Sequence, residues 1–136
     1  MVNEKVCLDT DVLIDHLRGS EETVCRIMEL EASGAILSTT AINAFELYYG
    51  AEKTERREEN RGAVERLLDR LVLYDFTKRA AGVAGEILAR LEAEGRPIDF
   101  RDAFIGATAV VNDIAIFTRN ISHFEVIVGL KLYEPD

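Results

Sequence analysis

The sequence predicts an α/β protein: a three-layer α/β/α sandwich with a central, mostly parallel sheet. Short apolar runs of strand length alternate with segments of helical periodicity, and turn or helix-capping residues separate them. The 136 residues, of which 48% are hydrophobic, are enough for one core. We therefore expect a single domain over residues 1–136. Its parallel strands and right-handed crossovers should bring the carboxyl ends of the strands to one edge.

The predicted strands are short apolar runs, and the predicted helices repeat apolar residues every three or four positions. The strands are expected at residues 6–9, 35–39, 72–76 and 114–118, with an edge strand at 130–133. The helices are expected from a cap at Thr10 or Asp11 to residue 17, and at residues 21–32, 41–52, 63–71, 78–94 and 101–112. Residues 53–62, the most polar stretch, form either a loop or the solvated tip of a helix.

Capping residues indicate where the predicted helices begin, and apolar faces indicate which side of a helix is buried. Three predicted helices are each preceded by a hydroxyl residue that can accept a hydrogen bond from the first turn: Ser20, Thr40 and Thr77. In the helix at 41–52, the residues Ile42, Phe45 and Tyr49 follow helical spacing and are expected to face the core. The helix at 101–112 is apolar on nearly every side, so we expect it to be deeply buried.

Charge and composition limit the kinds of partner. The 25 acidic and 16 basic residues give a net charge of −9. This argues against broad phosphate binding through basic patches, but allows a nucleic acid held locally by a metal and a few arginines, and it suggests a basic partner. No apolar run approaches the ~20 residues of a membrane span, and residues 1–9 lack the features of a signal peptide. We expect a cytoplasmic protein without membrane contact, in which Cys7 and Cys25 are packed thiols.

Three acidic residues stand at positions that are otherwise apolar. Asp9 follows the first strand, at the edge where open α/β sheets bind ligands, and Glu46 and Asp102 lie on helices with apolar faces. Carboxylates that converge repel one another unless one is protonated or a cation neutralises them. Oxygen ligands suit Mg²⁺ or Mn²⁺, and such an ion can activate a water for phosphodiester hydrolysis. We therefore predict that Asp9 and Asp102 bind a metal ion and that Glu46 binds it or orients its water.

Each of these acids also has a simpler explanation. Asp9 can cap a helix, Glu46 can lie at the edge of an apolar face with its carboxylate in water, and Asp102 can stabilise a helix N-terminus. Asp99 is the alternative to Asp102 at the metal site. On the face of Asp102, the small residue Gly106 predicts the close approach of another helix.

The segments beside the acids supply candidate substrate contacts. Thr118 and Asn120, after the fourth strand, can position a metal-bound water or a phosphate, although an ordinary polar turn explains them equally well. Arg101 and Arg119 adjoin these motifs, and one or the other is predicted to contact the scissile phosphate.

Rival catalytic sets are weaker. The chain has no GxSxG or Walker motif. His16 is expected on a helix surface, and His123 is expected to be structural, with a substrate contact as the alternative. The run DTDV at 9–12 fits the start of a haloacid-dehalogenase-like phosphotransferase with Asp9 as nucleophile, but no lysine follows in a convincing context. A phosphoacceptor receiver domain lacks support for the same reason.

Four motifs occur in the order and at the separations found in one protein family: LDTDVLID at 8–15, AFELYYGA at 44–51, DFRDAFIGATAV at 99–110 and FTRNISHFEVIVGL at 117–130. Through them the chain resembles the PIN-domain ribonucleases, and within these the VapC-type toxins of toxin–antitoxin pairs. The resemblance covers nearly the whole length. It implies a PIN-like sandwich, an endoribonuclease activity on RNA that depends on Mg²⁺ or Mn²⁺, a homodimer, and a VapB-type antitoxin as protein partner.

By position, Asp9, Glu46 and Asp102 match the acidic metal-site residues of that family, and Asn120 stands where many members have a fourth acid. The resemblance therefore implies a catalytic set of these four residues. An asparagine can bind a metal through its carbonyl or hold a water, but it adds no charge. The alternative function is a PIN-fold binding module that is catalytically weak or inactive.

The predicted partner surface lies on the helices of residues 41–71. Tyr48 and Tyr49 adjoin the polar stretch there, and exposed aromatic side chains often mark interfaces. The alternative is that these tyrosines complete the core.

Overall fold

A sheet of five parallel strands forms the centre of the computed structural model, which describes residues 4–135. The strands are β1 (Lys5–Leu8), β2 (Ile36–Thr40), β3 (Val72–Tyr74), β4 (Ala115–Phe117) and β5 (Lys131–Leu132). They lie in the order β3-β2-β1-β4-β5, and every neighbouring pair is parallel. Residues 1–3 and residue 136 lie outside the described residues. The prediction about a signal peptide and the two ends of the predicted domain therefore fall partly on residues that the structure does not describe.

Helices connect the strands and cover the sheet. The described residues form α1 (Thr10–Leu17), α2 (Glu21–Ala32), α3 (Ala41–Glu52), α4 (Arg57–Leu68), α5 (Lys78–Ala93), α6 (Phe100–Asn112) and α7 (Ile121–Phe124). The polar stretch at 53–62 contributes the first turns of α4, and the four-residue α7 was not predicted, because it is too short for a periodic signal. No helix in residues 4–135 has the length and apolar character needed to cross a bilayer.

The core lies in two layers because successive side chains of a strand point to opposite faces of the sheet. Val6 and Leu8 pack on one face against apolar residues of α1, α2, α3 and α4. Cys7 packs on the other face against apolar residues of α5, α6 and α7. The predicted three-layer α/β/α sandwich with a parallel sheet is confirmed.

The buried face of α3 differs from the predicted one. Phe45 and Tyr49 are 63% and 56% exposed, whereas the buried residues of this helix are Asn43, Ala44, Leu47 and Ala51. Both faces of α3 carry apolar residues, so spacing alone did not distinguish them. The face with the alanines is the one that packs inward, since small side chains allow neighbouring elements to approach closely.

Two predictions about single residues are wrong. Cys25 is exposed and not packed. His16 is half-buried: its Nδ1 has no hydrogen-bond partner among the described residues, and burial lowers its pKa. At Gly106 the close approach is made by a side chain, since a Cβ at this position would lie 2.6 Å from Cδ1 of Ile127. This approach seats the segment after α7 against α6, one turn from Asp102.

Candidate active site

The site lies where the carboxyl ends of β1 and β4 meet. From β1 the chain crosses to β2 on one side, whereas β4 lies on its other side, which makes this position the topological switch point of the sheet. Asp9 follows β1, and its backbone N–H donates to the carbonyl oxygen of Phe117 at 2.9 Å. Thr118 follows β4, and its hydroxyl donates to Oδ2 of Asp9 at 2.7 Å.

Asp9 is fully buried and surrounded by hydrogen-bond donors. Its Oδ1 accepts from the backbone N–H of Thr10 at 2.8 Å, from Nδ2 of Asn43 at 3.0 Å and from Nη2 of Arg101 at 2.8 Å. Asp9 is also the N-cap of α1, so the prediction of a cap at Thr10 or Asp11 is wrong. The same carboxylate therefore starts the helix and belongs to the site.

Arg101 is the residue on which the three acids converge. In addition to Asp9, its guanidinium contacts Oε2 of Glu46 through Nε at 2.6 Å and Oδ1 of Asp102 through Nη1. Burial alone would lower the pKa of Arg101, but the hydrogen bonds and charges of Glu46 and Asp9 raise it on balance. Predicted as a phosphate contact, Arg101 instead lies inside the acidic site as its counter-ion.

A chain of hydrogen bonds that was not predicted holds Glu46 from the interior of the protein. The Thr10 hydroxyl donates to Oε1 of Glu46 at 2.6 Å and accepts from Nδ2 of Asn43 at 2.9 Å. The Thr40 hydroxyl donates to Oδ1 of Asn43 at 2.7 Å. The available signal was the position of Asn43, three residues before Glu46 and therefore on the same side of α3.

Asp102, in the first turn of α6, is almost fully buried, and its Oδ2 lies 3.3 Å from Nδ1 of the exposed His123. Burial raises the pKa of Asp102 on balance, although the hydrogen bond and charge of Arg101 and the charge of His123 act in the opposite direction. A cavity of about 450 Å³ adjoins this carboxylate and is lined in part by Asp99 and His123. His123 thus lies at the surface beside Asp102 and this cavity.

The segment after β4 surrounds the site with exposed polar groups. Asn120 is exposed, and its backbone N–H donates to the Thr118 hydroxyl at 3.0 Å. The side chain of Arg119 is 65% exposed and lies 3.3 Å from a carboxylate oxygen of Asp15. Its backbone N–H donates to Asp11 at 2.9 Å. The structure therefore places Thr118 in direct contact with Asp9, and places Asn120 and Arg119 at the rim.

The acidic residues fit a hard divalent cation in ligand type and charge. Asp9, Glu46 and Asp102 offer only carboxylate oxygens, and the group on which they converge is itself a cation. Within residues 4–135, no three acidic, histidine or cysteine side chains are grouped closely enough to hold one metal ion, because the Arg101 guanidinium lies between them. A metal could occupy this place only after Arg101 moves.

Comparison with known proteins defines the class of this fold and site. A sequence profile of the PIN domain matches residues 6–128. The chain therefore belongs to the PIN-domain family.

Within that family, the chain is similar to VapC proteins and to VapBC complexes. The tRNA(fMet)-specific endonuclease VapC of Salmonella typhimurium is 32% identical over 128 residues, which cover 94% of this chain and 96% of that protein. The structure of VapBC2 from Rickettsia felis bound to a promoter DNA fragment matches with a TM-score of 0.87 at 26% identity, covering 97% of this chain and 99% of that one. DNA-bound VapBC from Salmonella typhimurium matches with a TM-score of 0.86 at 30% identity, covering 97% and 98%. The predicted resemblance to VapC-type PIN domains is confirmed.

Proposed function

We propose that this protein is an endoribonuclease that hydrolyses RNA phosphodiester bonds with the help of Mg²⁺ or Mn²⁺, and that it is the toxin of a VapBC-type toxin–antitoxin pair. Its membership of the PIN-domain family and its similarity to an endonuclease VapC support the activity. One structural observation carries the proposal. Asp9, Glu46 and Asp102, which come from three distant segments, converge on a single cationic group at the switch point of the sheet.

Asp9 and Asp102 are the proposed metal ligands, and Glu46 binds the same ion or orients its water. When bound, such an ion acidifies a water and stabilises the negative charge that develops on the phosphate. Arg101 neutralises part of the acidic charge of the site, because its guanidinium pairs with all three carboxylates. Metal binding therefore requires the guanidinium to leave them.

The other predicted site residues receive supporting roles. Thr118 fixes the Asp9 carboxylate through its hydroxyl. Asn120 completes the proposed catalytic set, because its exposed amide can contact a water or a phosphate oxygen beside Thr118. Arg119 is the better candidate for the phosphate contact, since its guanidinium is exposed at the rim. Arg101 can take that role only when the acids release it.

The environment of Asp9 disfavours the phosphotransferase alternative. A nucleophilic carboxylate has to reach the phosphorus atom of its substrate. Asp9 is fully buried, and its two oxygens accept four hydrogen bonds. Such a carboxylate is better suited to bind an ion than to attack a phosphate.

A VapB-type antitoxin is the proposed protein partner and a homodimer the proposed assembly. The similarity to VapBC complexes supports the partner, and the net charge of −9 suits a basic segment from it. Phe45 and Tyr49 stack at 5.8 Å on the exposed face of α3 and provide an aromatic surface for association. A cytoplasmic location, where such RNA substrates occur, is part of the proposal.

Cleavage of a labelled RNA in the presence of Mg²⁺ or Mn²⁺, with and without EDTA, tests the proposal. Asp102→Asn should lower the cleavage rate by at least about 100-fold, because it removes a metal ligand. Asp113→Asn is the matched control: Asp113 is exposed, ends the same helix and pairs only with Lys131, so full activity is expected. Cleavage that resists EDTA, or that survives in Asp102→Asn, would contradict the proposal, and absence of cleavage in the wild type would favour the inactive binding module.

A further inference from the structure

We infer that Asn43 is a positioning residue of the acidic site, one that orients the Asp9 carboxylate and, through Thr10, the carboxylate of Glu46. The inference deepens the proposed nuclease function and rests on it. Asn43 has no exposed surface, and it lies in the first turn of α3, one turn before Glu46. Neither its burial nor its contacts are explained by packing alone.

Every hydrogen-bonding group of the Asn43 side chain is used. One amide hydrogen is directed to Oδ1 of Asp9, with an N–O distance of 3.0 Å, and the other to the Thr10 hydroxyl, with an N–O distance of 2.9 Å. The carbonyl oxygen accepts from the Thr40 hydroxyl at 2.7 Å. A buried amide with all its partners present is held in one orientation.

The orientation of this amide follows from the chemistry of its neighbours. An ionised carboxylate can only accept hydrogen bonds, so the amide nitrogen of Asn43 has to face Asp9 and its carbonyl has to face Thr40. Thr10 then accepts from Asn43, and its single hydroxyl hydrogen is left for Oε1 of Glu46, 2.6 Å away. Asn43 thus determines the direction of the hydrogen bond that holds Glu46.

These contacts do not compete with the cation at the centre of the site. Asn43 reaches Asp9 from the buried side, whereas Arg101, whose side chain is 27% exposed, reaches the same carboxylate from the side open to solvent. Exchange of Arg101 for a metal ion would leave the bonds from Asn43 to Asp9 and Thr10 in place. Partners of this kind orient the ligands of a metal, and their loss typically costs 10–100-fold in metal affinity or activity.

The contribution of Asn43 to the helix itself can be separated from this role. The cap of α3 is formed by the Thr40 hydroxyl, which accepts from the backbone N–H of Asn43 at 3.2 Å. That bond uses the backbone of position 43, although the same hydroxyl also donates to the Asn43 side chain. A substitution of the side chain can therefore keep the backbone bond of the cap while it disturbs the site.

Two variants and a control test the inference on the full-length protein. Asn43→Ser removes both amide donors, and Thr10→Val removes the hydroxyl that accepts from Asn43 and donates to Glu46. Ser38→Ala is the control, because Ser38 is equally buried but its hydroxyl donates to the backbone carbonyl of Val6, at 3.0 Å, instead of to an acidic side chain. Mn²⁺ affinity is measured by calorimetry without RNA, and kcat and KM on a single-stranded RNA.

For Asn43→Ser we expect Mn²⁺ affinity or kcat to fall by about 10–100-fold with little change in KM. Thr10→Val should lower kcat in the same direction, and Ser38→Ala should match the wild type. A folded Asn43→Ser with wild-type Mn²⁺ affinity and kcat would overturn the inference, as would an equal loss in Ser38→Ala. If Asn43→Ser does not fold, Thr10→Val decides: wild-type affinity and kcat there would overturn the link to Glu46. A wild type that neither binds Mn²⁺ nor cleaves RNA would overturn the proposed function itself.

Discussion

Replacement of Arg101 by methionine should destabilise the acidic site, and the contacts of the guanidinium allow the size of the effect to be worked out. Methionine keeps a flexible apolar side chain but removes the guanidinium, which contacts Asp9 at 2.8 Å, Glu46 at 2.6 Å and also Asp102. The side chains of Asp9 and Asp102 are 0% and 4% exposed. These two carboxylates are therefore poorly solvated, and without Arg101 three carboxylates would face one another without a counter-ion.

The expected loss of stability is set mainly by the two buried pairs. Removal of one partner of a buried ion pair costs about 3–5 kcal/mol. The contact with Glu46 adds less, because that carboxylate is partly exposed and screened by solvent. We expect the free energy of unfolding of Arg101→Met in EDTA to fall by about 3–5 kcal/mol. For a chain of this length, this corresponds to a decrease of roughly 10–20 °C in Tm.

Thermal unfolding in EDTA and in graded MnCl₂ measures this effect. Mn²⁺ should raise the Tm of Arg101→Met more than that of the wild type, because in the wild type the ion has to displace the guanidinium. Binding at 100 times the dissociation constant adds about 2.7 kcal/mol, so metal should recover much of the loss. The control is Arg70→Met: Arg70 is exposed and pairs with Glu31, and its loss should cost at most about 1 kcal/mol. Equal Tm values for Arg101→Met and wild type in EDTA, or equal shifts with Mn²⁺, would refute the role of Arg101 as counter-ion.

Two further predictions concern the acids of the site. Asp9→Asn should abolish RNA cleavage and also lower the Tm. The Tm falls because the variant loses the ion pair with Arg101 and turns an amide NH₂ toward neighbouring hydrogen-bond donors. An unchanged or higher Tm would show that repulsion between the acids dominates instead. Burial, followed by the charge of Asp9, raises the pKa of Asp11. The folded protein therefore favours the protonated form of Asp11 more than the unfolded chain does. The stability that this preference contributes is fully present below the ordinary pKa of 3.8 and is lost as the pH rises through the raised pKa. Urea unfolding of Asp11→Asn should accordingly show a larger gain over wild type at pH 7 than at pH 3, and a gain independent of pH would contradict the shift.

Local signals were sufficient to predict the fold. Strand-length apolar runs and capping hydroxyls lie next to each other along the chain. Thr40 and Thr77 accept the predicted capping bonds from the backbone of Asn43 and Ala80, whereas Ser20 precedes its helix without a capping bond from its side chain. The orientation of α3 could not be predicted, because both of its faces are apolar and only contacts with distant elements select the buried one. Phe45, expected to face the core, is exposed for this reason, and so is Tyr49, for which a partner surface and the core were both considered.

The acids of the site were easier to predict than the residues that hold them. Asp9 and Asp102 attract attention because a carboxylate in an apolar segment is costly without a partner. Asn43 gives no such signal, since a polar residue in the first turn of a helix is common. The inward position of the Arg101 side chain also could not be predicted from its neighbours in the sequence, because an arginine beside an acidic motif can point to solvent as readily as inward. Both depend on β1, α3 and α6 meeting in space.

The site separates the groups that fix its shape from the group that balances its charge. Uncharged donors hold Asp9 from within: the backbone of Thr10, the amide of Asn43 and the hydroxyl of Thr118. The balancing charge comes from Arg101, a flexible side chain with a path to solvent. Three carboxyl groups share one guanidinium, so the site has more acidic groups than cationic partners. Since the uncharged donors do not depend on which cation is present, the proposed exchange of Arg101 for a metal ion would need the movement of one side chain and not a rearrangement of the fold.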